Sequence, residues 1–161
     1  MRTIIVAAVV LVASLAAVPR ALAQAPTPAP AAAATTAAAL PRTPSPTGAE
    51  VYIISPKNGA KVKSPVLVQF GLKGMGIAPA GVKFDNTGHH HLVIDGDPPS
   101  DLGAPLPATE KLLHFGKGQT ETSVTLAPGK HTLQLVLGDQ SHIPHDPPVI
   151  SKKITITVVG E

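Results

Sequence analysis

The stretch His131-Thr-Leu-Gln-Leu-Val-Leu137, closed by Gly138 and Asp139, decides the fold. Its leucines at 133, 135 and 137 recur with a period of two, so on an extended strand they share one face while Thr132, Gln134 and Val136 share the other. The leucine face is expected to be core. The same alternation sets Thr122, Val124 and Leu126 against Ser123 and Thr125, and Ile154, Ile156 and Val158 against Thr155 and Thr157. Such strands are half-buried members of antiparallel sheets. Working outward, short apolar runs predict strands over Val51 to Ser55, Pro65 to Leu72, His89 to Asp95, Lys111 to Phe115, Thr120 to Leu126, His131 to Gly138 and Ser151 to Val159, seven in all. Turn residues separate them, among them Pro56-Lys-Asn-Gly59, Gly96-Asp-Pro-Pro99, Gly116-Lys-Gly118 and Pro128-Gly129. No stretch carries a long apolar stripe at helical spacing, so the chain reads as all-β: an immunoglobulin-like antiparallel β-sandwich of about seven strands, with a small barrel as the alternative.

The strands occupy only part of the 161 residues. Residues 1–23 carry Arg2, an apolar run from Ile4 to Val18 and the small residues Ala21 and Ala23, which is the pattern of a secretory signal peptide. The apolar run is shorter than the roughly 20 residues a bilayer-spanning helix needs. Cleavage after Ala23 or Ala25 is expected, leaving no transmembrane segment in a periplasmic or secreted protein. Residues 24–49 are Ala-, Pro- and Thr-rich and read as a disordered linker, because they offer little to pack against the cost of ordering. Residues 50–161 form the folded domain.

Composition excludes several functions. The chain has no cysteine and no tryptophan, one tyrosine and three phenylalanines. Thiolate metal sites and cysteine nucleophiles are therefore impossible, and aromatic platforms for bases are hard to assemble. The net charge of +3 comes from Arg2, Arg20 and Arg42; residues 50–161 balance ten lysines with ten acidic residues. No basic footprint for nucleic acid remains. Nor is there a Gly-x-Ser-x-Gly, a phosphate loop or a His-Glu-x-x-His, so the chain is not read as an enzyme.

All seven histidines fall between His89 and His145. On a strand, His89 and His91 project to one face, about 6.6 Å apart along the backbone, and form half of a metal site. His90 joins Leu92 and Ile94 on the opposite, apolar face and is expected to bond to backbone. His142 and His145, in a loop stiffened by Pro144, Pro147 and Pro148, are candidates to complete the site, with His114 a fifth ligand candidate. His131 shares parity with the core leucines and reads as structural. Imidazole without thiolate suits Cu(II) or Zn(II), and Met75, the one methionine outside residues 1–23, reads as a packing residue. Asp95, Asp139 and Asp146 either orient ligand imidazoles or serve as turn residues.

Asn86-Thr-Gly-His-His-His-Leu-Val-Ile-Asp95, Leu113-His-Phe-Gly-Lys-Gly-Gln-Thr-Glu-Thr122 and Gly129 to Asp139, continuing through His142-Ile-Pro-His-Asp-Pro-Pro148, resemble the bacterial family known as domain of unknown function 4399. Ile54 to Ala60 and Phe70 to Gly76 match it as well. The resemblance spans nearly all of residues 50–161 and none of the linker. It implies an exported bacterial protein with no established activity, supplying fold and compartment and no chemistry. From the histidine spacing alone, the chain is expected to bind a divalent transition metal, copper or zinc, for storage, delivery or resistance. The alternative is a non-catalytic cell-envelope interaction module, with an envelope protein as partner and structural histidines. An enzyme of superoxide-dismutase type ranks last, because the ligand spacing does not fit.

Overall fold

Period-two patterning produces strands throughout the described residues, 41–160 of a computed structural model, and no helix forms there. The strands are β1 (Glu50–Ser55), β2 (Lys61–Lys63), β3 (Val66–Lys73), β4 (Gly76–Ile77), β5 (Thr87–Ile94), β6 (Leu112–His114), β7 (Glu121–Val124), β8 (Gly129–Gly138) and β9 (Ile154–Val159). All seven expected strands are present. The two additions, β2 and β4, are three and two residues long, too short to display an alternation. The expected signal peptide, 1–23, and linker residues 24–40 lie outside the described residues.

Two sheets result, one of order β1-β3-β7 and one of order β2-β9-β8-β5-β4, with β6 also pairing β5. The main pairings are antiparallel, but β2 runs parallel to β9 and β4 parallel to β5, so the pairing is mixed where the pattern predicts a purely antiparallel one. Parallel neighbours need a long connection. The chain between β2 and β9 supplies it; β4 and β5 are joined by only nine residues and pair over just two positions.

The main core lies between the sheets. Val51, Val66, Val68 and Phe70 from the smaller sheet meet Leu92, Leu133, Leu135, Leu137, Ile156 and Val158 from the larger one. The three leucines of β8 are fully buried, as their parity predicts, and truncating one to alanine costs about 2–5 kcal/mol. Val136, on the other face of β8, packs with Val93, Leu106 and Leu112 in a second cluster. The loop before β6 and the segment after β8 cover that face, held together where the Leu106 N–H donates to the His142 carbonyl at 2.9 Å. Consequently Gly88 to Ile94 of β5 are buried on both faces, although the pattern predicts half-buried strands.

The order also begins earlier than Glu50. Arg42, Thr43 and Ser45, which the sequence reading assigns to the linker, hydrogen-bond to residues 139–147. One contact is an N–H donation from Ser45 to the Asp146 carbonyl at 3.0 Å.

At one end of β8, His131 Nδ1 lies 2.8 Å from Asp95 Oδ2, and its Nε2 lies 2.8 Å from the Ala127 carbonyl. His131 is thus structural, and Asp95 serves this turn instead of a metal ligand. The hydrogen bonds His131 donates to the Asp95 carboxylate and the Ala127 carbonyl raise its pKa above the ordinary value. Burial pushes Asp95 upward, but hydrogen bonds from His131 and the Thr132 N–H, with the His131 and Lys111 charges, leave it lowered. The raised histidine stabilises the fold fully below its unfolded pKa of about 6.5, and that gain is lost as pH rises through the folded value. Denaturant melts of wild type and His131→Gln should therefore differ more at pH 5.5 than at pH 9; equal gaps contradict the assignment.

Candidate metal centre

Strand geometry brings the first three rings together. His89 and His91 share a face of β5, and the β5–β6 register sets His114 directly across from His91. Directly opposed residues on antiparallel strands lie about 4.5–5.5 Å apart, near enough for their rings to touch. Ring centroids are 4.8 Å apart for His89 and His91, 5.1 Å for His91 and His114, and 5.0 Å for His89 and His114.

The fourth ring arrives from the loop after β8. His142 has φ of 66°, a left-handed conformation that non-glycine residues adopt at some cost. Two loop-closing bonds hold it: the His142 N–H to the Asp139 carbonyl and the Asp139 N–H to the Ile143 carbonyl, both 2.9 Å. The Asp139 carboxylate accepts the N–H groups of Ser141 and Ile143 through Oδ1 at 2.8 and 3.0 Å. His142 then stands with its ring centroid 4.7 Å from that of His114, and its Nδ1 3.1 Å from His89 Nε2.

One ring nitrogen from each of His89, His91, His114 and His142 falls within 4.8 Å of all the others. Imidazole nitrogens at 2.0–2.1 Å from one zinc ion in a tetrahedron stand about 3.3 Å apart, so shifts of about 1 Å or less per ring close the set. The hydrogen bonding matches that use. His89 and His91 are fully buried, and His89 Nδ1 and both ring nitrogens of His91 have no hydrogen-bond partner. Burial drives the His91 pKa down to about 3 and that of His89 to about 4, helped by the neighbouring imidazoles. His114 is lowered for the same two reasons, burial first and His142 second. All three shifts favour the neutral ring, the form that ligates a metal.

Three glycines make room for the rings. A methyl group at Gly138 would stand 2.8 Å from Cε1 of His91, one at Gly116 would clash with Cε1 of His114, and one at Gly88 would stand 2.6 Å from the Gly138 carbonyl oxygen and 2.9 Å from Cε1 of His145. From sequence Gly116 reads as a turn residue and Gly138 as a strand end; in the fold Gly138 lies directly across from His89, and Gly116 lies two residues beyond His114.

His145 does not join the four. It is fully buried, with Nε2 3.1 Å from the Thr87 carbonyl. His90 is buried on the core side, its ring centroid 5.1 Å from that of Phe70 and its Nδ1 3.3 Å from the Gln119 carbonyl. Met75 packs against the main core and Asp146 faces Arg42. Neither lies with the four rings.

Residues 68–159 match the model of a family described as a domain of unknown function, DUF4399. The chain belongs to this family. No curated protein and no solved structure matches it. The DUF4399 match contains all four clustered histidines and the three glycines that seat rings, whereas Arg42, Thr43 and Ser45 lie outside it.

Gly138→Ala is expected to displace the His91 ring, destabilise the metal-free fold by about 1–3 kcal/mol and weaken metal binding. Gly160→Ala, where nothing stands within 4 Å, should be neutral in both respects. Chemical denaturation with metal titration of the two variants measures both effects.

Proposed function

We propose that this DUF4399 protein is an exported binding protein that holds one divalent transition-metal ion, copper or zinc, on His89, His91, His114 and His142. The supporting observation is the pair of fully buried imidazoles, His89 and His91, three of whose four ring nitrogens lack partners inside a four-histidine cluster. Each unpartnered buried nitrogen costs about 1–3 kcal/mol, and a coordinated ion removes that cost where it binds. Borderline nitrogen ligands without sulfur favour Cu(II) or Zn(II) over Cu(I). With zinc, four protein ligands fill the tetrahedron and leave no position open for substrate, in contrast to catalytic sites with three, which supports holding an ion over transforming a substrate.

The burial is graded. His114 is exposed and His142 half-buried, so the ion has a side from which it enters and leaves. That supports storage, delivery or resistance over a permanently sealed structural ion. Export rests on the signal-peptide pattern of residues 1–23, and two sheets enclosing a common apolar core support the immunoglobulin-like reading.

A second reading, an interaction module with an envelope protein as partner, is favoured by Phe84 and Val82, which are 71% and 48% exposed. Their loop reaches the metal-site rim, where the Ala80 N–H donates to the Gly116 carbonyl and the Gly81 N–H to the Gln140 carbonyl, both at 2.9 Å.

Calorimetric titration of the full chain with Cu(II) and with Zn(II) tests the metal reading. One ion per chain is expected, with Kd well below about 100 μM. Binding should vanish in His89→Ala/His91→Ala and persist in His131→Gln and His145→Ala. An affinity unchanged in the double variant refutes the proposal.

A further inference from the structure

We infer that Thr43 is a positioning residue for the metal centre and that residues 42–45 form a strap whose docking is coupled to metal occupancy. The inference rests on the metal reading above and concerns how that site is held and released. Asp139 is 1% exposed, and its carboxylate shapes the loop that carries His142. Its Oδ1 accepts two backbone N–H groups; its Oδ2 accepts one hydrogen bond, from Thr43 Oγ1 at 2.6 Å. A buried carboxylate that loses a donor must reorient to find another. That reorientation loosens the 139–143 loop and with it His142.

The remaining strap bonds hold Thr43 in place. Arg42 Nε donates to the Pro144 carbonyl at 2.9 Å, and its guanidinium also reaches the His145 carbonyl. The Asp146 N–H donates to the Thr43 carbonyl at 2.9 Å and the Ser45 N–H to the Asp146 carbonyl at 3.0 Å, a short ladder that continues the fold's backbone pairing. Ser45 Oγ donates to the Pro147 carbonyl at 2.7 Å. The strap thus grips both ends of the segment in which His142 sits. Coupling between two sites is reciprocal: if the docked strap tightens metal binding, bound metal tightens the strap by the same factor.

The test uses the full chain with Zn(II) and Cu(II). Thr43→Val keeps the side-chain shape and removes the hydroxyl, while Thr43→Ser keeps the hydroxyl. Thr43→Val should bind metal about 10–100-fold more weakly, the range seen when a residue orienting a ligand is lost. Its Cu(II) electron paramagnetic resonance spectrum should depart from the wild-type pattern, and Thr43→Ser should restore both. A purely structural role would lower the melting temperature without changing the spectrum of the bound ion. In the wild-type chain, saturating Zn(II) should slow amide exchange at Ser45 and Asp146 by about the same 10–100-fold. This arm needs no variant to fold. A wild type that binds metal while Thr43→Val binds equally well, or while the Ser45 and Asp146 amides exchange unchanged, overturns the strap alone. A wild type that binds no metal overturns the metal reading and the strap with it.

Discussion

Strand β5 carries four buried ring nitrogens without a hydrogen-bond partner: one on His89, one on His90 and both on His91. Each such group opposes folding by about 1–3 kcal/mol, in a domain whose net stability is only about 5–15 kcal/mol. The strand stays in place because its neighbours leave it no alternative. It pairs with β8 over six residues on one side and with β6 on the other. Leu92 and Ile94 on its core face join the leucines of β8. A one-residue slip would turn His89 and His91 toward those leucines and bring Leu92 out of the core, so hydrophobic packing sets the register and the register presents the imidazoles. The remainder of the site is built around rings that the sheet cannot withdraw.

The core was legible because alternation is a local signal. Leu133, Leu135 and Leu137 announce their face within seven residues, and the separation of His90 from His89 and His91 follows from the same period. Membership of the histidine cluster was legible only in part. His91 and His114 meet because β6 pairs with β5 in one particular register, which depends on distant parts of the chain. His142 and His145 were indistinguishable by spacing. The structure separates them through the left-handed backbone of His142 and the Thr87 carbonyl that engages His145. β2 and β4 escaped detection for want of length, and the docking of Arg42 to Ser45 escaped because hydrogen bonds between a low-complexity segment and a loop leave no periodic trace. The second apolar cluster was hidden for a related reason: Val136 looks like a lone apolar residue on a polar face until Leu106 and Ile150 cover it.

The four imidazoles differ in how firmly they are held. His89 and His91 belong to a central strand closed on both faces. His114 ends a three-residue strand with its ring folded over Gly116, and His142 belongs to a loop held by backbone hydrogen bonds and the Asp139 carboxylate. Half of the cluster is thus fixed on a central strand, and the other half, His114 exposed and His142 half-buried, lies toward solvent.

The glycines at 88, 116 and 138 adopt no left-handed backbone; what they contribute is the absence of a side chain where an imidazole already lies. A single base change from glycine to alanine would evict a ring at two of the four corners of the cluster. Alanine at 116 or 138 therefore acts at a distance from its own backbone: it forces His114 or His91 to shift while every histidine is retained.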